Sequence, residues 1–277
     1  MTTRNAASKS PYAVGVALLL VSAVAFSSTG VFAKGVEAGA WAIIFWRGVF
    51  AATSTTLWAA SRGGLHREFF GMGRAGLAVG IIGAMGTAAL IPAFKLTTVA
   101  NVALIYAAAP FLAAFMAWVA IGERVSKLTA FSASGALLGV GVIVSGSIGQ
   151  VNLLGDALAL AMTLAMSIIM VIYRVRPDTP SAGPSILQSV FLFPFAVVLG
   201  APFNIAPLEM AILAGFGMFH AIASVTLAEG AKRVPAGQTA LIGALETPLA
   251  PVLALLILGE VPSQVTLIGG AIVLAAV

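Results

Sequence analysis

Ten apolar runs, separated by short polar connections, follow one another along the 277-residue chain. A helix that crosses a bilayer needs about 20 mainly apolar residues, and lipid allows only helices or closed barrels to span it. Runs of this length predict helices rather than the shorter strands of a barrel. The fold class is therefore predicted to be an all-α integral membrane protein with ten transmembrane helices. The predicted spans cover roughly residues 12–33, 39–61, 75–93, 98–121, 128–148, 152–173, 184–203, 207–229, 235–258 and 263–277.

The composition excludes most soluble functions. Hydrophobic residues make up 60% of the chain and charged residues 8%, whereas soluble domains carry about 25% charged residues. Cysteine is absent from the sequence, which excludes thiolate metal sites, iron–sulfur clusters and disulfides. The sequence contains no P-loop and no His-Glu-x-x-His motif, so we expect no cofactor and no metal. The 14 basic residues are scattered along the chain, so we expect no nucleic acid as a partner. The expected partners are small solutes and bilayer lipids, and the sequence leaves the oligomeric state open, with a monomer among the alternatives.

The basic residues predict the orientation in the membrane. Cytoplasmic connections are enriched in lysine and arginine. If the N-terminus lies on the cytoplasmic side, most basic residues of the chain also lie on the cytoplasmic side. Only Lys34 and Lys95 then lie outside, and Arg47 falls within the second span. We therefore predict a multi-pass protein with both termini inside. The expected location is a bacterial-type inner membrane. The inside residues are Arg4, Lys9, Arg62, Arg67, Arg74, Arg124, Lys127, Arg174, Arg176, Lys232 and Arg233.

An internal repeat becomes visible when the sequence is shifted by 137 residues, which places the fourth span on the ninth. Gly122-Glu123 then meets Gly259-Glu260, and Lys95 meets Lys232. Charged residues are rare in this chain, so a Gly-Glu pair at one helix end and a lysine at the other are hard to match by chance. The sequence therefore predicts a duplication of five spans.

Five spans are an odd number, so the second copy must enter the membrane from the opposite side. We predict a first repeat at residues 1–148 and an inverted second repeat at residues 149–277. Inverted repeats are common in secondary transporters, whose substrate site lies near the middle of the membrane between the two halves. A membrane scaffold built by duplication is the alternative interpretation.

These patterns resemble the EamA-type members of the drug/metabolite transporter superfamily, and within it most closely the amino-acid exporters, the aromatic ones in particular. The resemblance implies ten helices in two repeats, a central cavity, and efflux of amino acids and related metabolites. One departure is that position 247, where the repeat predicts proline, is threonine. The matching positions are residues 28–34, Trp46-Arg47, Pro110 with Gly122-Glu123, and Pro248 and Pro251 with Gly259-Glu260.

Three ionisable residues lie deep in predicted spans, where such groups are costly and by default mark functional sites. Arg47 either pairs with a substrate carboxylate or makes a structural contact with a backbone carbonyl or an acidic side chain near the outer surface. Glu246 either binds a substrate amino group, carries a coupling proton, or bonds to the backbone freed by Pro248. His220 either binds substrate, titrates near neutral pH, or is a hydrogen-bonded interior residue. Proton coupling is a separate hypothesis that depends on Glu246 and His220.

Several polar and aromatic residues complete the predicted substrate site. Ser27 and Ser28 form the most polar point of the first span, and they either bind substrate or bond between helices. Tyr106 and Trp46 are candidates for stacking on an aromatic substrate. Gln238 lies in the ninth span, next to the helix face that carries Glu246. Prolines within spans interrupt helix hydrogen bonding, and the candidate hinges are Pro110, Pro248 and Pro251.

Together these features predict a secondary transporter that exports amino acids, aromatic and other neutral ones, by alternating access through a cavity between the repeats. An intramembrane serine protease-like enzyme is one alternative, because residues 132–135 form an incomplete Gly-x-Ser-Gly motif and His220 is available as a base. A non-transporting scaffold is the other alternative. We expect no enzymatic activity.

Overall fold

The computed structural model of the protein describes residues 10–34, 36–96, 102, 105–145, 152–200, 202–259 and 264–277. This part of the chain is helical and contains no strand. The helices in chain order are α1 (Pro11–Ser27), α2 (Thr29–Lys34), α3 (Ala40–Ser61), α4 (Leu65–Phe70), α5 (Gly73–Leu96), α6 (Ala109–Ile121), α7 (Lys127–Ser145), α8 (Leu153–Val175), α9 (Ala182–Gly200), α10 (Pro207–Ala231), α11 (Ala236–Gly243), α12 (Glu246–Leu258) and α13 (Gln264–Ala276).

The predicted spans agree with these helices at most ends, but three of the spans are interrupted. The first is broken at Ser28, the fourth at residues 107–108 and the ninth at residues 244–245. The short helix α4 lies between the second and third spans, where the apolar pattern gives no helix. Apolar length therefore predicts where a span begins and ends, but it does not predict turns inside the span.

Local sequence explains several helix ends. Ser10 caps α1 by accepting a hydrogen bond from the Ala13 amide at 3.2 Å, and Asn152 caps α8 by accepting one from the Gly155 amide at 3.0 Å. Serine and asparagine are preferred there because their side-chain oxygens satisfy amides that have no helical partner. Proline occupies the first position of α1 and of α10, where its missing N–H costs nothing.

Five apolar stretches in the described residues are long enough to cross a membrane, namely Gly73–Ala93, Leu153–Val175, Ala182–Gly200, Pro207–Ala231 and Ala236–Ile257. Four apolar helices are shorter, namely Pro11–Ser27, Ala109–Ile121, Lys127–Val142 and Gln264–Ala276. Helix α3 has 22 residues but includes Arg47 and several hydroxyl side chains. The protein is therefore a multi-pass membrane protein, while the full set of ten spans and the side of the termini stay predictions.

The last helices of the two halves repeat each other in register. Helices α6 and α12 begin and end 137 residues apart, and so do the starts of α7 and α13. Gly122 follows α6 with φ 68°, and Gly259 follows α12 with φ 69°. This left-handed conformation strains other residues, which explains the glycine in both Gly-Glu pairs.

Helices at equivalent places in the two halves pack against each other in opposite directions. Trp41, at the start of α3, lies beside Gly200 at the end of α9, while Gly48 lies beside Ser189 further back. Helices α7 and α13 show the same reversal, because Gly135 lies beside Ala276 and the later Gly139 lies beside Val273. Each of these helices thus runs antiparallel to its counterpart.

Helix α10 holds α1 and α3 together near the middle of the molecule. A Cβ atom added to Gly217 would clash with Cβ of Phe50 and would lie 2.8 Å from the carbonyl oxygen of Arg47, so α3 and α10 can approach here only because glycine has no side chain. On the α1 side, the Ser22 hydroxyl donates to the Ala223 carbonyl at 2.9 Å. Residues of three helices therefore converge around His220.

Candidate functional site

Both interrupted central spans break at the same place in the repeat. The turn at residues 107–108 precedes α6, and the turn at residues 244–245 precedes α12, again 137 residues later. Pro110 is the second residue of α6, and Pro248 is the third residue of α12. Each proline lacks the backbone N–H that would bond to the carbonyl four residues earlier, which is Tyr106 for Pro110 and Ala244 for Pro248. Each helix therefore restarts one or two residues before its proline.

The two breaks lie against each other. The Tyr106 hydroxyl oxygen would be 3.8 Å from a Cβ atom added to Gly243, the last residue of α11. Tyr106 is also close enough to Glu246 for their charges to interact. Tyr106, Ile242 and Leu245 share one buried cluster. Residues that flank the break in each half therefore form one central group.

Glu246 is the first residue of α12 and is partly buried. The N-terminal end of a helix favours a negative charge, because its backbone amides point outwards. The Glu246 carboxylate accepts no hydrogen bond from the described residues. It is therefore available to a ligand that donates hydrogen bonds or carries positive charge.

A second group lies between α1, α3 and α10. Arg47 is 5% exposed, and its guanidinium stacks over the Phe216 ring at 5.4 Å. The Nε atom of Arg47 has no hydrogen-bond partner among the described residues. His220 lies close enough to interact with the charge of Arg47, and its Nε2 is 3.4 Å from the Ser224 hydroxyl. A buried cation with an unused donor suits an anionic ligand group.

Phe26 of α1 lies between the two groups. Its ring meets the His220 ring edge-on with centroids 5.8 Å apart. It also packs against the buried cluster that contains Tyr106. The aromatic ring of Phe26 thus separates the Arg47 group from the Tyr106 group.

The remaining predicted site residues have partners within the protein. Ser27 donates to the Val24 carbonyl and Ser28 to the Ala25 carbonyl, each at 2.6 Å. These bonds lie within α1 and at its end, where the first span is interrupted. They do not link neighbouring helices.

Trp46 and Gln238 make longer-range bonds. The Trp46 indole donates to the Pro202 carbonyl at 2.6 Å, which ties α3 to the connection after α9. Gln238 accepts from the Tyr12 hydroxyl at 3.0 Å and donates to Thr129 at 3.4 Å. The structure thus places both residues apart from the central group of Tyr106 and Glu246.

Two residues of this region, and one buried polar residue further along α3, were not predicted from the sequence. Gly243 provides the space beside Tyr106, and Phe26 separates the two groups. Thr55 is buried, and its hydroxyl has no partner among the described residues. Gly243 had a signal in the sequence, because a shift of 137 residues aligns it with Tyr106.

The sequence matches the EamA-like transporter family over residues 13–145 and again over residues 148–277. One solved crystal structure shares the fold, with a TM-score of 0.79, 18% sequence identity, and coverage of 98% of this chain and 96% of that chain. No curated protein matches the sequence. The two family matches follow each other and span nearly the whole chain. The protein therefore belongs to the EamA-like transporter family, whose members carry small molecules across membranes.

Proposed function

We propose that this protein is a secondary transporter that exports amino acids, aromatic and other neutral ones, and related metabolites across a bacterial-type inner membrane. The observation that carries the proposal is the meeting of two equivalent helix breaks, with Tyr106 from one half and Glu246 from the other. Interrupted helices near mid-membrane are a typical way in which secondary transporters build substrate sites, because helix ends then face the ligand.

The proposed architecture has ten spans, with both termini inside, in two inverted repeats at residues 1–148 and residues 149–277. The antiparallel packing of α3 with α9 and of α7 with α13 supports inversion, since a duplicated helix that enters from the opposite side runs against its counterpart. In this proposal the halves rock around the central site and open it to each side in turn. Pro110, Pro248 and Pro251 are the proposed hinges.

The proposed substrate chemistry follows from the two groups. Glu246 receives the ammonium group of the amino acid, because its carboxylate is unused and lies at the restart of the broken helix. Tyr106 provides an aromatic face beside it, and Gly243, which has no side chain, leaves room for a methyl-sized group of the substrate next to the Tyr106 hydroxyl. The positive charge of Arg47 attracts the carboxylate from the other side of Phe26, whose ring meets His220 edge-on.

Transport is favoured over the two alternatives by the partners of the proposed protease residues. The Ser134 hydroxyl donates to the Ala130 carbonyl at 2.9 Å, and His220 contacts Ser224 instead. A scaffold would have no need for an unused carboxylate and a buried arginine whose Nε atom has no partner among the described residues. Proton coupling through Glu246 and His220 is a secondary proposal.

The experiment is flux from proteoliposomes loaded with labelled phenylalanine, with labelled leucine and labelled lysine in parallel. We expect protein-dependent efflux of the first two that saturates with concentration and is competed by unlabelled amino acid. No protein-dependent flux of any amino acid contradicts the substrate class. Flux at channel rates without saturation contradicts alternating access.

A further inference from the structure

A groove of about 980 Å³ lies between α1, α10 and the second half of α3, away from the helix breaks. We call it the α3–α10 groove. Its apolar wall consists of Leu18, Trp58, Met218, Ile222 and Val225. Its far end is ringed by the basic residues Arg62, Arg67, Lys232 and Arg233.

The shape of the groove follows from the packing of its helices. Gly217 holds α10 tightly against α3 at Phe50, and the helices separate toward Arg62. Met218 and Ile222 are 54% and 47% exposed, so this apolar wall has no protein cover among the described residues. In a membrane protein such a wall faces lipid chains.

The charges at the far end are not balanced within the groove. Glu229 pairs with Lys232, and with Arg233 at 2.8 Å. Glu68 accepts hydrogen bonds from the amides of residues 182 and 183 and is therefore used as a helix cap.

Arg62 and Arg67 are the cations that remain. The Arg62 guanidinium lies 5.0 Å from the centre of the Trp58 ring, and neither arginine has an ion pair among the described residues. Asp178 also lines this end and is exposed. With Glu68 and Glu229 it makes three carboxylates against four basic side chains, which leaves an excess of one positive charge. The imbalance favours an anionic ligand.

A buried polar atom lies deeper in the same groove. Thr55 lines the groove, is 2% exposed, and has a hydroxyl without a partner in the described part of the chain. It precedes Arg62 by seven residues on the same helix, a rise of about 10 Å. A buried hydroxyl without a partner loses free energy, so a bound molecule with an acceptor at this depth would recover it.

We propose that the α3–α10 groove binds an anionic phospholipid of the bilayer. Its phosphate lies between Arg62 and Arg67, and an ester carbonyl accepts from Thr55. Its acyl chain covers Met218 and Ile222. Basic pockets between membrane helices on the cytoplasmic side are known to bind anionic headgroups, and this end of the groove is the end that the basic residues predict to be cytoplasmic.

The test measures binding of phosphatidylglycerol and phosphatidylcholine to the purified, delipidated full chain by native mass spectrometry. The first variant is Arg62→Gln with Arg67→Gln, which removes the two unpaired cations. Its matched control is Arg124→Gln with Lys127→Gln, which removes two exposed cations from the same predicted membrane face outside the groove. The second variant, Ile222→Trp, fills the apolar wall without changing charge.

We expect wild type to prefer phosphatidylglycerol over phosphatidylcholine. The Arg62/Arg67 variant should bind phosphatidylglycerol at least about tenfold more weakly, because each basic residue near a headgroup contributes substantially. The Arg124/Lys127 control should keep wild-type binding, and Ile222→Trp should weaken binding of both lipids. Circular dichroism and elution as a single species confirm that each variant is folded.

Two results overturn the proposal. If the Arg124/Lys127 control loses as much phosphatidylglycerol binding as the groove variant, the lipid is held by general surface charge. If millimolar inorganic phosphate displaces the lipid and Ile222→Trp has no effect, the site takes free phosphate and not lipid. Neither result bears on amino-acid flux, so this proposal and the proposed function fail separately.

Discussion

The backbones of the fourth and ninth spans break at equivalent positions, but the side chains at the two breaks differ. In the first half, Tyr106 precedes the turn and Ala109 restarts the helix; in the second half, Gly243 and Glu246 occupy these positions. Turn position and helix length agree across the repeat. The side chains at the breaks therefore diverged while the backbone frame was kept.

This difference gives the centre of the molecule an aromatic ring from one half and a carboxylate from the other. Two identical breaks would present two identical surfaces to a ligand. An amino acid has unlike ends, and an asymmetric site can hold it in one orientation. The equivalent backbones of the two halves allow the proposed rocking movement. The different side chains at the two breaks allow the proposed recognition of an amino acid in one orientation.

The largest expected effect concerns the inversion on which this comparison depends. Arg62 and Asn204 follow the second long helix of each half and are exposed, and the chain has no cysteine to remove. We expect a membrane-impermeant maleimide to label Asn204→Cys in intact cells, and to label Arg62→Cys only after the membrane is permeabilised. Labelling of both from the same side would show that the halves are not inverted.

The carboxylate at the second break should matter most for flux. Glu246→Gln keeps the size of the side chain and removes the charge. We expect transport to fall about 10- to 100-fold, as is typical when a hydrogen bond to a charged group is lost. The control is Glu37→Gln, which removes an exposed charge outside the breaks. Equal flux in wild type and Glu246→Gln would remove Glu246 from the proposed site.

The sequence predicted the helices well and the breaks poorly. Apolar length follows bilayer thickness, so the ends of α3 and α10 lie within a few residues of prediction. The turns at residues 107–108 and 244–245 consist of apolar residues and leave no trace in hydropathy. Pro110 and Pro248 indicated the region of each break but not its exact position.

Long-range partners could not be predicted from one sequence. Trp46 was a candidate for substrate stacking, yet its indole bonds to the Pro202 carbonyl, 156 residues away. The charge of Arg47 was visible as an anomaly within an apolar span, but its stacking on Phe216 depends on how α3 crosses α10. Composition thus identifies costly groups, and packing determines which of them are free to bind.

Substitutions of two glycines in α11 test helix packing and substrate recognition separately. A Cβ atom on Gly237 would lie 2.9 Å from Cβ of Ala114 in α6, whereas one on Gly243 would lie 3.8 Å from the Tyr106 hydroxyl. We expect Gly237→Ala to lower the free energy of unfolding by about 1–3 kcal/mol through overpacking. Gly243→Ala should leave it unchanged or raise it by up to about 1 kcal/mol, because alanine favours helix.

Thermal unfolding of Gly237→Ala, Gly243→Ala and wild type in the same detergent measures these two changes in stability. Transport measurements on Gly243→Ala then test recognition separately from stability. This substitution narrows the space beside Tyr106, so it should weaken the apparent affinity for bulky substrates while the fold stays intact. If both substitutions were equally harmless to stability, α11 and α6 would not be in the tight contact that positions the breaks.

The smallest expected effect concerns Glu123, which joins the two broken spans at their ends. One carboxylate oxygen accepts from the Ala236 amide at the start of α11 at 3.1 Å, and the other accepts from Nε of Arg174 at 2.7 Å. Both side chains are partly exposed, 18% for Glu123 and 29% for Arg174, so solvent weakens the ion pair. We expect Glu123→Gln to cost about 1 kcal/mol of stability.

A double-mutant cycle with Arg174→Gln separates the ion pair from the helix cap. If Glu123 acts through both contacts, Glu123→Gln should still destabilise the protein when Arg174 is already replaced, because the Ala236 amide loses a charged acceptor. Full additivity of the two substitutions would show that the ion pair contributes nothing. Glu123 would then connect the two halves only through its hydrogen bond with the Ala236 amide at the start of α11.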